Sequence, residues 1–109
     1  MKSIPDDALV IRGGRNRPED IRRATATHPS GITGISVESA VGATVEQLAA
    51  VIPHGQVGVT TVAKVRAAGG DVISTAGKNR NHATLTGLDP HQASQLLTPT
   101  MANPVKQKP

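Results

Sequence analysis

Ile32-Thr33-Gly34-Ile35-Ser36-Val37-Glu38-Ser39 is the stretch whose reading decides the fold. Ile35 and Val37 fall on one side of an extended segment, and Ser36 and Glu38 fall on the other. The segment is rich in β-forming residues, which predicts a strand with one buried face and one polar face. Ser36 and Glu38 then line either a cleft or a half-exposed sheet face.

Toward the C-terminus, residues 43–52 (ATVEQLAAVI) carry Val45, Leu48, Ala49 and Ile52 on one helical stripe. Thr44 and Gln47 have capping-box spacing, and Pro53-His54-Gly55 ends the helix. Residues 56–60 predict a short strand, and 61–68 predict a helix stopped by Gly69-Gly70. Two more strands are expected at 71–75 and 82–86, joined by the basic, turn-rich loop Ala76-Gly77-Lys78-Asn79-Arg80-Asn81. Asp89 followed by Pro90 opens a last helix that runs to Leu97.

Toward the N-terminus, Ala8-Leu9-Val10-Ile11 is an apolar run closed by Arg12-Gly13-Gly14, the pattern of a buried strand entering a turn. Residues 16–24 follow as a short helix, with Pro18, Glu19 and Asp20 in its first turn and Arg22 and Arg23 near its end. The order of strands and helices is irregular, without a βαβ repeat. The expected fold is therefore α+β, a small mixed or antiparallel sheet with short helices packed around it. Residues 1–97 form one domain in this reading, and 98–109, with Pro99, Pro104, Pro109, Lys106 and Lys108, form a disordered, flexible tail.

Composition narrows the chemistry. The chain has 109 residues, no Cys, no Phe, Tyr or Trp, and a formal net charge of +4. Without Cys there is no disulfide, thiolate zinc site, iron–sulfur cluster or Cys nucleophile. Without aromatic rings, nothing stacks on a base, a nicotinamide or a sugar. No apolar run approaches the roughly 18–20 residues that a membrane span needs, so no membrane role is expected. The first residues lack the apolar core of a signal peptide, which sets a cytoplasmic expectation, or export without a cleaved signal. A core made mainly of Ala, Val, Ile and Leu is thin, and a homodimer is one way to bury more of it.

Several residues are chemical candidates. Arg12-Gly13-Gly14 ends a core strand and presents a forked cation to a phosphate or carboxylate, with glycines that let backbone approach a ligand. His82 is a general acid or base candidate, and Thr84 shares its face of the strand. His82-Ala83-Thr84 is similar to half of the paired His-x-Thr motif of two-histidine phosphoesterases, but His28, His54 and His91 supply no second copy. The histidines and carboxylates have no compact ligand spacing, so no metal is expected. Arg12, Arg15, Arg17, Arg22 and Arg23 crowd the first quarter of the chain, and nucleic acid contacts, if made, would go to phosphates.

Taken in order, the strand ending in Arg12-Gly13-Gly14, Gly34-Ile35-Ser36-Val37-Glu38-Ser39, the amphipathic helix with Ile52-Pro53-His54-Gly55, and His82-Ala83-Thr84-Leu85 resemble small bacterial toxin domains with an ADP-ribosyltransferase-like fold. Type VI secretion effectors are among those domains. The resemblance spans residues 8–88 and implies an NAD-type cofactor or substrate. It implies that Arg12 binds it, that Ser36 supports the nicotinamide-ribose pocket, and that His82 adds a polar group to the same cleft; the candidate catalytic residues are then His82, Ser36 and Glu38, and Gly13, Gly14 and Thr84 join Arg12 as candidate cofactor-binding residues. It also implies a cognate antitoxin or immunity protein as partner. On this reading Arg12, Ser36 and His82 converge in one cleft. A second reading is a ribonuclease-type toxin that uses His82 with Lys78 or Arg80 at the phosphate. A third is a non-catalytic protein-interaction domain, consistent with the absence of aromatics and with Glu19, Glu38 and Glu46 as the only glutamates.

Overall fold

The computed structural model describes residues 3–76 and 79–106. In chain order the elements are β1 (Leu9–Gly13), α1 (Pro18–Ala24), β2 (Ala26–Thr27), β3 (Thr33–Ala40), α2 (Val45–Ala49), β4 (Gln56–Thr61), α3 (Val62–Ala67), β5 (Asp71–Ser74), β6 (His82–Thr86), α4 (Pro90–Leu96) and β7 (Met101–Ala102). The strands form one sheet in the order β5-β6-β3-β1-β4-β7, with β2 also paired to β3. Every pairing between these strands is antiparallel. This is the α+β architecture expected from the sequence.

Local chemistry accounts for the helix starts. Thr44 and Asp89 each accept a hydrogen bond from the N3 amide, and Gln47 and Gln92 reach back to the cap amides. Each such cap stabilises its helix by about 1 kcal/mol. Pro18 and Pro90 stand in the first turns of α1 and α4, where no amide donor is needed.

The alternation of β3 sorts the two faces of the sheet. Val10, Ile35, Val37, Val72, Ala83 and Leu85 pack on one face against Ile21 of α1, Val62 and Val65 of α3, and Ala93 of α4. On the other face Ile11 and Val57 pack against Leu48 of α2 and against Ile52. Each buried Val, Leu or Ile here contributes roughly 1.5–3 kcal/mol. The apolar cluster on this second face draws on β1, β4 and α2, and the polar residues of β3 and β6 continue the face beyond it.

The C-terminal boundary differs from the sequence expectation. Residues 98–106 pack onto the sheet, because β7 pairs with Gln56 and Val57 and the fully buried Asn103 side chain donates to the carbonyls of Ile52 and His54. The prolines and lysines of this segment masked one buried amide that ties it down. Residues 107–109 lie outside the described residues.

Candidate functional site

β1 and β3 pair only as far as Ile11–Glu38. Beyond that point β1 stays with β4, through Arg12–Gly58 and Gly13–Val57, while β3 continues toward β2. The two strands splay, and a cleft of about 600 Å³ opens where they part. Arg12, Gly13, Gly14, Arg15, Ser36 and Glu38 line it, together with Asn16, Arg17 and Asp20 at the start of α1 and with residues 51–56. The volume falls within the range of small-molecule sites.

The turn after β1 is held by one side chain. Asn16 is buried with φ 58°, a left-handed conformation that asparagine tolerates. Its amide donates to the carbonyls of Arg12 and Gly14, and its own carbonyl accepts from Ser94 Oγ. Gly14 has φ 93° and sends its amide to the carbonyl of Gln56. A Cβ at Gly13 would overlap Ile52 Cγ2 and the His54 ring, so the His54 side chain lies against this glycine.

Arg12 is the central cation. Its Nη1 donates to the carbonyl of Ser36 at 2.7 Å. Its Nε is buried with no hydrogen-bond partner, and no carboxylate pairs with it among the described residues. Burial lowers its pKa, partly offset by the charge of Asp20, but a guanidinium remains protonated. Asp20 itself is engaged elsewhere. It accepts from Arg17 and Arg23, and these bonds hold its carboxyl down to about 2. The cleft therefore has a fixed acid–base pair at its rim and, inside it, a cation with no carboxylate bonded to it among the described residues.

Glu38 is the carboxylate facing Arg12's end of the cleft. Burial raises its pKa, while a hydrogen bond from Asn79 and the charge of His82 oppose the rise. Burial is the largest of the three effects, so the neutral form is favoured relative to a solvated glutamate.

The three residues expected to converge do not all do so. Ile11 stands opposite Glu38, and Glu38 opposite His82, so all three share one face. Arg12, one residue on, belongs to the opposite face. Its guanidinium reaches the Ser36 carbonyl through the gap between the strands, whereas His82 lies outside the cleft lining. His82 Nδ1 is within 2.8 Å of Thr75 Oγ1, and its ring stacks on His28 at 5.8 Å. Thr84 is buried, bonded to Thr75 and, like His82, outside the lining of this cleft. Arg80 is exposed, and Lys78 lies outside the described residues.

The reading of residues alone missed Asn16, His54 and Gln56 at this site. Pro53-His54-Gly55 signals a helix stop, and nothing local says that its histidine returns to cover Gly13. Among the described residues no group of three or more His, Asp or Glu side chains is placed to hold a metal ion, and no helix is long and apolar enough to cross a membrane. No protein-family model matches the chain, no curated protein matches its sequence, and no solved structure matches it.

Proposed function

We propose that this protein binds a phosphate-bearing nucleotide of the NAD or ADP-ribose class in the cleft between β1 and β3. The observation that carries the reading is Arg12, a half-buried guanidinium in a cleft of about 600 Å³, with a buried Nε that has no partner and no carboxylate bonded to it among the described residues. A buried cation without a counter-ion is unfavourable by itself, and an anionic ligand relieves it. Exposed Arg15 adds positive potential at the mouth. Glu38 supplies an acceptor for a ribose hydroxyl and the acid–base group of an ADP-ribosyltransferase-like reaction, with Ser36 beside it. The chain contains no Phe, Tyr or Trp to stack on the ligand's rings, and the cleft wall offers the His54 imidazole instead. His82 and Thr84 have no part in this version of the site.

Thermal unfolding with and without ADP-ribose tests the reading. At one hundred times Kd a ligand adds about 2.7 kcal/mol, which raises the midpoint by several degrees in a domain of this size. The rise should fall to about half or less in Arg12→Met, whose binding is at least about tenfold weaker. An unchanged midpoint at millimolar ADP-ribose, NAD and ADP sinks the proposal. The toxin role is part of the same proposal, with an immunity-type protein as partner. Growth arrest on expression in a bacterial host, relieved by Arg12→Met or Glu38→Gln, supports it, and normal growth opposes it.

Glu38 directly opposite His82 favours one second reading, a ribonuclease-type toxin in which this pair exchanges protons and Arg80 faces the phosphate. RNA cleavage lost in His82→Ala would favour it, whereas His82→Ala leaves nucleotide binding in the Arg12 cleft intact.

A further inference from the structure

β3 is paired along one edge with β6, from Gly34 to Glu38. Its other edge is held in two separate pieces. β1 pairs with Glu38–Ala40, and β2 pairs with Thr33–Gly34. Among the described residues, no strand pairs with Ile35–Val37 on that edge. The phase of the backbone follows from Ser39, whose amide donates to the carbonyl of Asn81, on the β6 side, at 2.9 Å. Amides along a strand face alternate edges, so Ile35 and Val37 also face β6, whereas Ser36 presents both N–H and C=O to the gap. The carbonyl of Ser36 accepts Arg12 Nη1, as this phase requires. Its N–H points to the same edge, into the space where a neighbouring strand would have placed a carbonyl oxygen.

We propose that the Ser36 backbone amide and the Arg12 guanidinium form a two-donor cradle for one phosphoryl oxyanion of the ligand. The inference rests on the nucleotide-binding reading and adds the atom that orients the phosphate. A strand amide left without a carbonyl is an open donor of fixed direction, and an oxyanion accepts such a donor more strongly than a neutral carbonyl does. The gap lies where β1, beyond Ile11, stays with β4, and the Gly14 amide continues that pairing by donating to the carbonyl of Gln56. The contact comes from the main chain, so the serine hydroxyl is not needed for it.

The test is residue-resolved amide exchange and 15N shift mapping of the full chain, titrated with inorganic pyrophosphate at constant ionic strength. In the free protein the Ser36 amide exchanges faster than those of Ile35 and Val37. At ten times Kd its exchange slows about tenfold, following the free fraction, and its resonance moves while those of Ile35 and Val37 change little. A Ser36 amide already as protected as its neighbours overturns the cradle. So does one that stays unmoved while calorimetry records pyrophosphate or ADP-ribose binding that depends on Arg12, and in that case the cleft reading stands. No binding of either ligand by calorimetry overturns the cleft reading and the cradle together.

Discussion

Arg12 Nη1 donates to the backbone carbonyl of Ser36 at 2.7 Å, across two strands that have stopped pairing one residue earlier. The bond spans the opening of the cleft and fixes a cation there. The same side chain leaves a buried Nε without a partner. Arg12 therefore stands as a group whose stability cost and ligand value are linked. Arg12→Met keeps the apolar stem and removes the desolvated charge. Its thermal midpoint without ligand should equal or exceed that of the parent, while nucleotide binding is weakened by at least about tenfold. A fall of many degrees would show Arg12 to be structural instead.

Gly13→Ala should destabilise the fold by about 1–3 kcal/mol, the usual cost of overpacking. The added methyl would meet Ile52 Cγ2 and the His54 ring, and both belong to the wall of the cleft. Urea unfolding measures the loss. Gly55→Ala is the control for steric crowding, since a Cβ there meets nothing within 4 Å and its φ is not positive. An effect at Gly13 no larger than at Gly55 would contradict the packing described here.

Two carboxylates should give opposite pH signatures. Asp20 has its pKa lowered from 3.8 to about 2, chiefly by the Arg17 hydrogen bond. A lowered folded pKa stabilises above the unfolded value and loses that stabilisation as pH falls. Asp20→Asn should therefore destabilise at pH 6 and converge with the parent as pH falls from about 4 through 2. Glu38 has its pKa raised, chiefly by burial. Its contribution is present below the unfolded pKa and is lost as pH rises through the folded value. Glu38→Gln should consequently gain stability relative to the parent as pH rises toward neutrality. Parallel pH–stability curves for the two variants would contradict both assignments.

Truncation after Leu97 should destabilise the domain and loosen the cleft. Asn103 is fully buried and bonds the carbonyls of Ile52 and His54, which belong to the cleft wall. Asn103→Ala takes the donor from the carbonyls of buried Ile52 and of His54 and should cost about 1–3 kcal/mol. Chemical denaturation measures both changes. A truncated protein as stable as the parent would return residues 98–106 to the role of a tail.

Much of the architecture was legible because it is written in local patterns. The alternation of Ile35 and Val37 against Ser36 and Glu38 marked β3 and its buried face, and the cap pairs Thr44–Gln47 and Asp89–Gln92 marked two helix starts. β2 and β7 escaped because two residues carry no period. The cleft was legible only in part. Arg12, Ser36 and Glu38 could be singled out as strand residues with useful chemistry, and the structure brings all three to one cavity. The misplacement of His82 came from the register. A local reading assigns faces within a strand but not between strands, and the pairs Ile11–Glu38 and Glu38–His82 put Arg12 and His82 on opposite sides. The place where β1 leaves β3 depends on the Asn16 turn and its bond to Ser94, a contact 78 residues apart in sequence.

Calorimetric titration of ADP-ribose into the parent protein and into Arg12→Met tests the central claim most directly. The account predicts saturable one-to-one binding to the parent, weakened in Arg12→Met by at least about tenfold, as loss of a charged hydrogen bond worth 1.5–3 kcal/mol implies. Equal affinity in the two proteins, or no binding to the parent at millimolar ligand, would contradict it.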